Sequence, residues 1–75
     1  MMKPIFIVVE SKGIIGNPII VKNIEDEIVT DSNHQRLNVV LMTPNWKTAV
    51  QGANTSDKQI YVLKEGNKAW FKRKY

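Results

Sequence analysis

Short runs of β-branched and aromatic residues alternate along this chain with polar breaks marked by glycine, proline or asparagine. Ile5-Phe6-Ile7-Val8-Val9 is apolar on both faces of an extended segment, which predicts a central strand with Pro4 at its entry, where a missing N–H does least harm. Ser11-Lys12-Gly13 and Gly16-Asn17-Pro18 punctuate the chain around Ile14 and Ile15. These two isoleucines suit a loop that folds back onto the core. A second strand is expected over Pro18–Lys22 and a weaker third over Glu27–Thr30, with Glu25, Asp26 and Glu27 putting acid at the turn between them. The polar loop Asp31–Arg36 leads into Leu37-Asn38-Val39-Val40-Leu41-Met42, a second strong strand. The third and fourth strands are placed to form a hairpin with a long connection.

Residues 43–52 carry signals of one or two helical turns over 44–51. Thr43 suits a cap, Pro44 the first position and Gly52 the terminating position, and Trp46, Ala49 and Val50 then share a face at i, i+3, i+4. Read as a strand, the same stretch puts Trp46, Thr48 and Val50 together; the start and stop signals favour the helix. Gln59–Lys64 and Lys68–Arg73 flank Glu65-Gly66-Asn67, and a two-residue Gly66-Asn67 turn makes them a hairpin. That turn sets Leu63 opposite Trp70, Val62 opposite Phe71 and Tyr61 opposite Lys72.

Five or six short strands with turns at intervals of about 8–12 residues predict an all-β domain. In 75 residues there is room for one domain, residues 1–75, that buries about 60% of its unfolded surface. A small antiparallel barrel, SH3-like or OB-like in size, fits this length better than a sandwich because closure removes exposed edges. A small α+β fold, with the 44–51 helix on a curved sheet, is the alternative. No apolar run approaches the ~20 residues of a membrane-spanning helix. The run Pro4–Val9 lacks the cleavage pattern of a signal peptide. Absence of cysteine excludes disulfides and thiolate chemistry and fits a reducing compartment, so a soluble cytoplasmic protein is expected.

Charge changes the picture. Net charge is +4, and it is unevenly spread. From Lys58 onward Lys58, Lys64, Lys68, Lys72, Arg73 and Lys74 stand against one acid, Glu65, whereas acids slightly outnumber bases before it. Tyr61, Trp70, Phe71 and Tyr75 lie in the same stretch. Cations neutralise phosphates and flat rings stack on bases, so this composition points to nucleic acid, either RNA or single-stranded DNA. In the predicted register Ile60, Val62, Ala69 and Phe71 form the core face, with Lys64, Arg73 and Tyr75 towards its ends. Tyr61, Leu63, Trp70, Lys68, Lys72 and Lys74 form the opposite, ligand-facing side. The candidate contacts are therefore Tyr61 and Trp70 for stacking and Lys68, Lys72, Arg73 and Lys74 for phosphates. Two other readings compete. Tyr61 and Trp70 also suit a second layer of core, with the lysines guarding an edge strand against aggregation. Alternatively, Trp70, Phe71 and Arg73 could anchor a small interaction or inhibitor module on an acidic protein.

Other constellations carry less. His34 sits beside Asp31 and Ser32 in one polar loop, which does not supply the converging geometry of a nucleophile, base and orienting acid. Glu25, Asp26, Glu27 and Asp31 lack the alternating order of a calcium loop, and Gly13-Ile14-Ile15-Gly16 matches no phosphate loop. Asn54-Thr55-Ser56 is a glycosylation triplet with no sign of secretion around it. The sequence thus predicts a binding domain with no catalytic residues, cofactor or metal.

Overall fold

A computed structural model describes residues 3–13 and 15–74. Ile14 and Tyr75 lie outside the described residues, as does the side chain of Lys74. Six strands, β1 (Ile5–Glu10), β2 (Ile19–Asn23), β3 (Ile28–Thr30), β4 (Asn38–Thr43), β5 (Lys58–Leu63) and β6 (Lys68–Lys74), and one helix, α1 (Trp46–Gly52), make up the fold. All strand pairs are antiparallel, in the order β3-β2-β6-β5-β1-β4. The two ends of this sheet approach each other. Thr30 bridges Arg36, and the Leu37 N–H donates to the Val29 carbonyl at 2.7 Å. The expected small all-β barrel with one short helix forms, nearly closed.

The expected β3–β4 hairpin is reduced to one antiparallel bridge. β3 pairs along β2, and only Thr30 with Arg36, flanked by the Leu37–Val29 and Asp31–Gln35 backbone hydrogen bonds, joins it to the chain entering β4 among the described residues. Two turns explain the difference. Asn23 Oδ1 accepts the Asp26 N–H at 2.9 Å and Glu27 takes a φ of 53°, which reverses the chain tightly after β2. Asp31 Oδ1 then accepts the N–H groups of Asn33 and Gln35, and His34 takes a φ of 65°. After this second turn the chain meets the end of β3 once, at Thr30 and Arg36, and then runs on to pair with β1.

β1 is apolar on both faces because it separates two layers of core. Ile7 and Val9 point into the barrel with Ile19, Val21, Val29, Tyr61, Leu63 and Ala69. Val8 points outward, onto Ala49 and Ala53 of the helical segment and Ile60 of β5, with Phe6, Leu41, Trp46 and Val50 around them. Each fully buried Ile, Leu or Val contributes about 1.5–3 kcal/mol relative to exposure. The loop after β1 folds back as expected: Ile15 packs on the barrel core, and the Gly16 carbonyl accepts from the Tyr61 hydroxyl at 3.3 Å.

The helix starts later than its signals suggest. Asn45 is the cap, its Oδ1 accepting the Thr48 N–H at 3.1 Å, while Thr43 Oγ1 accepts the Asn45 N–H and Pro44 precedes the cap. Gly52 is its last residue, with Ala53 beyond it as the C-cap. There the helix end closes on β4, and a β-carbon at Gly52 would run into Leu41 Cδ2. The apolar face Trp46, Ala49, Val50 is as predicted.

In the β5–β6 hairpin the pairing is one residue out from the prediction. Leu63 faces Ala69, Val62 faces Trp70 and Tyr61 faces Phe71. A bulge between Ile60 and Tyr61 then restores the predicted register, so Ile60 faces Arg73. The slip follows from space inside the barrel. The position bordered by Leu63 and Ile19 is fully buried and holds the methyl of Ala69, which sends the Trp70 indole to the outer face. The connection lengthens, with Gly66 at a φ of 67°. No atom lies within 4 Å of where a Gly66 β-carbon would be. Gly66→Ala should therefore destabilise through backbone strain alone, by about 1 kcal/mol. Gly13 is equally open but lacks a positive φ, so Gly13→Ala should stay within about 0.5 kcal/mol of the parent in urea unfolding.

Candidate nucleic-acid interface

Antiparallel pairing lines up Phe6 of β1, Val62 of β5 and Trp70 of β6 in one row across the outer face of the barrel. α1 covers part of this face and stops short of the rest. Its first residue, Trp46, rests its ring edge-to-face on Phe6, with centroids 5.1 Å apart and planes at 64°. Trp70, on the far side of the row, is 52% exposed. Between the two indoles lies a groove of about 570 Å³, within the ~300–1,000 Å³ range of small-ligand clefts. Phe6 and Val62 form its floor, and Pro4 and Phe71 border it.

Lys64 and Lys72 are the charged side chains among its lining residues, none of which is acidic. Lys72 Nζ stands 5.9 Å from the centre of the Trp46 ring. An ammonium over an indole face is attracted by the ring quadrupole, so Lys72 reaches from β6 across towards α1. Lys68 and Arg73 are exposed on the same strand. By alternation Lys68 shares the outer face with Trp70. The bulge brings Lys72 and Arg73 together opposite Ile60.

The platform expected from Tyr61 and Trp70 is divided. Tyr61 is fully buried inside the barrel, its hydroxyl donating to Gly16 O or Gln59 Oε1, each at 3.3 Å, and burial pushes its pKa up. It cannot stack on a base from there. Its contact with the surface is indirect, through Phe71, whose ring meets it edge-on at 5.6 Å. Trp70, Lys68, Lys72 and Arg73 remain at the surface, and Lys74 contributes backbone only within the described residues. Trp46, Phe6 and Lys64 complete the groove, and none of them was among the expected contacts. Trp46 and Phe6 read as core, and Lys64 fell on the predicted core face. The signal that could have joined them is the helix itself: with Trp46 in its first turn and both faces of β1 apolar, the outer face of β1 needs an aromatic cover.

Lys58, one of the six cations in the basic segment, is taken up locally. Its Nζ lies 2.9 Å from Glu10 Oε2 and 3.1 Å from Asp57 Oδ1. The Thr55 hydroxyl donates to Asp57, and with Lys58 it holds that carboxyl below the usual aspartate range; Glu10 and then Asp57 raise the Lys58 ammonium. His34 is exposed in its loop, and among the described residues no three His, Asp or Glu side chains gather to hold a metal ion. No described helix is long and apolar enough to cross a membrane. Comparison with protein-family models, curated proteins and solved structures finds no match to this chain.

A carboxyl whose pKa is depressed in the folded state stabilises above its unfolded value and loses that contribution as pH falls through the folded one. Part of the stability should thus disappear below about pH 4. Asp57→Asn should flatten the fall in the urea midpoint between pH 5 and pH 3, and an unchanged slope would remove Asp57 from the account.

Proposed function

We propose that this chain is a non-enzymatic binding domain that contacts nucleic acid through the groove between α1 and the β5–β6 hairpin. One observation carries the reading: two tryptophans border a single groove whose charged lining residues are both lysines. Rings offer stacking surface to bases, and Lys64 and Lys72, with Lys68 and Arg73 beside them, offer neutralising charge to phosphates. The segment's remaining described cation, Lys58, is held by Glu10 and Asp57 and belongs to the scaffold. A cysteine-free chain of this kind suits the cytoplasm.

Salt titration tests the reading. Log affinity for labelled oligonucleotides should fall linearly with log salt, by about 0.7 per ion pair for a single strand and about 0.9 for a duplex. Lys72→Ala should lower that slope by about one ion pair, and Trp70→Ala should cost ~1–3 kcal/mol of binding with the slope kept. Failure to bind any oligonucleotide, single-stranded or duplex, at low salt overturns the proposal. Docking of Trp70, Phe71 and Arg73 on an acidic protein would then be the reading to pursue.

A further inference from the structure

We infer, on the footing of the nucleic-acid reading, that the groove takes one unpaired base inserted between Trp46 and Trp70, so that the ligand is a single strand. The sheet beneath the groove sets the spacing of its floor and of the Trp70 wall. Phe6, Val62 and Trp70 occupy three neighbouring strands, so the backbones carrying Phe6 and Trp70 stand about 10 Å apart. Val62 between them is short and leaves a trough. A flat ring stacked on both sides needs about twice the ~3.4 Å repeat of stacked bases. Trp46 cannot fold away freely, because its ring is seated on Phe6 and its backbone begins α1.

A base inside a duplex already has both faces covered by its neighbours and cannot present them to two indoles. An unpaired base can. Its phosphates would emerge at the groove rim, where Lys64 and Lys72 lie. Lys72 now hovers at the Trp46 ring; an entering base displaces it there and frees the ammonium for the adjacent phosphate. The floor is made of Phe6 and Val62, whose side chains carry no hydrogen-bonding group. Base identity is therefore read weakly, through stacking strength alone.

The test uses the unmodified chain, whose two indole N–H groups give separate nuclear magnetic resonance signals, assigned with Trp46→Phe and Trp70→Phe. It is titrated at low salt with octamers of dT and dA and with the dA·dT duplex of the same length. Both indole signals should shift with either single strand, affinities for the two should agree within about tenfold, and the duplex should bind at least about tenfold more weakly and shift neither. Replacing Trp46 by Leu, in a variant verified as folded, should weaken single-strand binding roughly 5- to 150-fold. A shift of Trp70 alone overturns the two-ring insertion. A duplex that binds as tightly as the single strands without moving either indole also overturns it, while leaving the nucleic-acid reading standing. If no oligonucleotide binds and poly-glutamate moves the same two signals, both fail and the groove belongs to an acidic protein.

Discussion

Everything distinctive about this barrel's surface depends on how much room there is beside Leu63. That interior position, flanked by Ile19 on β2, is filled by the methyl of Ala69 at full burial. An indole there would force neighbouring strands apart in an interior packed as densely as an organic crystal. Because side chains alternate strictly along a strand, admitting Ala69 sends Trp70 outward. The same choice turns Tyr61 inward, where its ring is buried and its hydroxyl finds partners in Gly16 and Gln59. Had Trp70 paired with Leu63, the surface would have lost one wall of its groove.

The bulge at Ile60/Tyr61 limits the consequences of that choice. It inserts Lys72 as the extra residue, so Arg73 faces Ile60, while Lys72 lines the groove with Trp70. α1 supplies the opposite wall. Seven residues are too few for a helix to hold itself together in water, and its stability comes from the second core layer over Val8 and Ile60. Trp46 is therefore both a packing residue and a groove residue: one side of its ring meets Phe6, and Lys72 stands 5.9 Å from its centre. The charge pattern follows the same economy: Lys58 is tied down by two carboxylates, and among the described residues no ion pair holds Lys64 or Lys72.

Local signals in the sequence reached far into the fold. The unbroken apolar run of β1 marks a strand buried on both faces, and the Asn45–Gly52 region is readable as a short amphipathic helix from its i, i+3, i+4 face. What local pattern could not decide was pairing. Whether β3 returns on β2 or meets β4 depends on two side-chain-stabilised turns, at Asn23 and Asp31, whose direction no periodicity encodes. The hairpin register turned on one extra loop residue around Gly66, and turn chemistry alone allowed either length. Since a one-residue slip reverses the face of β6 relative to β5, it changes the candidate site and leaves the fold intact. Trp46 was invisible as a site residue for a different reason: its contact with Phe6 joins distant parts of the chain.

The central claim is that β6 pairs with β5 so that Val62, and not Leu63, faces Trp70. Cross-strand nuclear Overhauser contacts in the isotopically labelled chain measure this directly. This pairing brings Val62 into contact with Trp70, Leu63 with Ala69, and Ile60 with Arg73. Contacts joining Leu63 to Trp70 and Tyr61 to Lys72 would mean that the bulge is absent, that Tyr61 and Trp70 share a face, and that the groove described here does not exist.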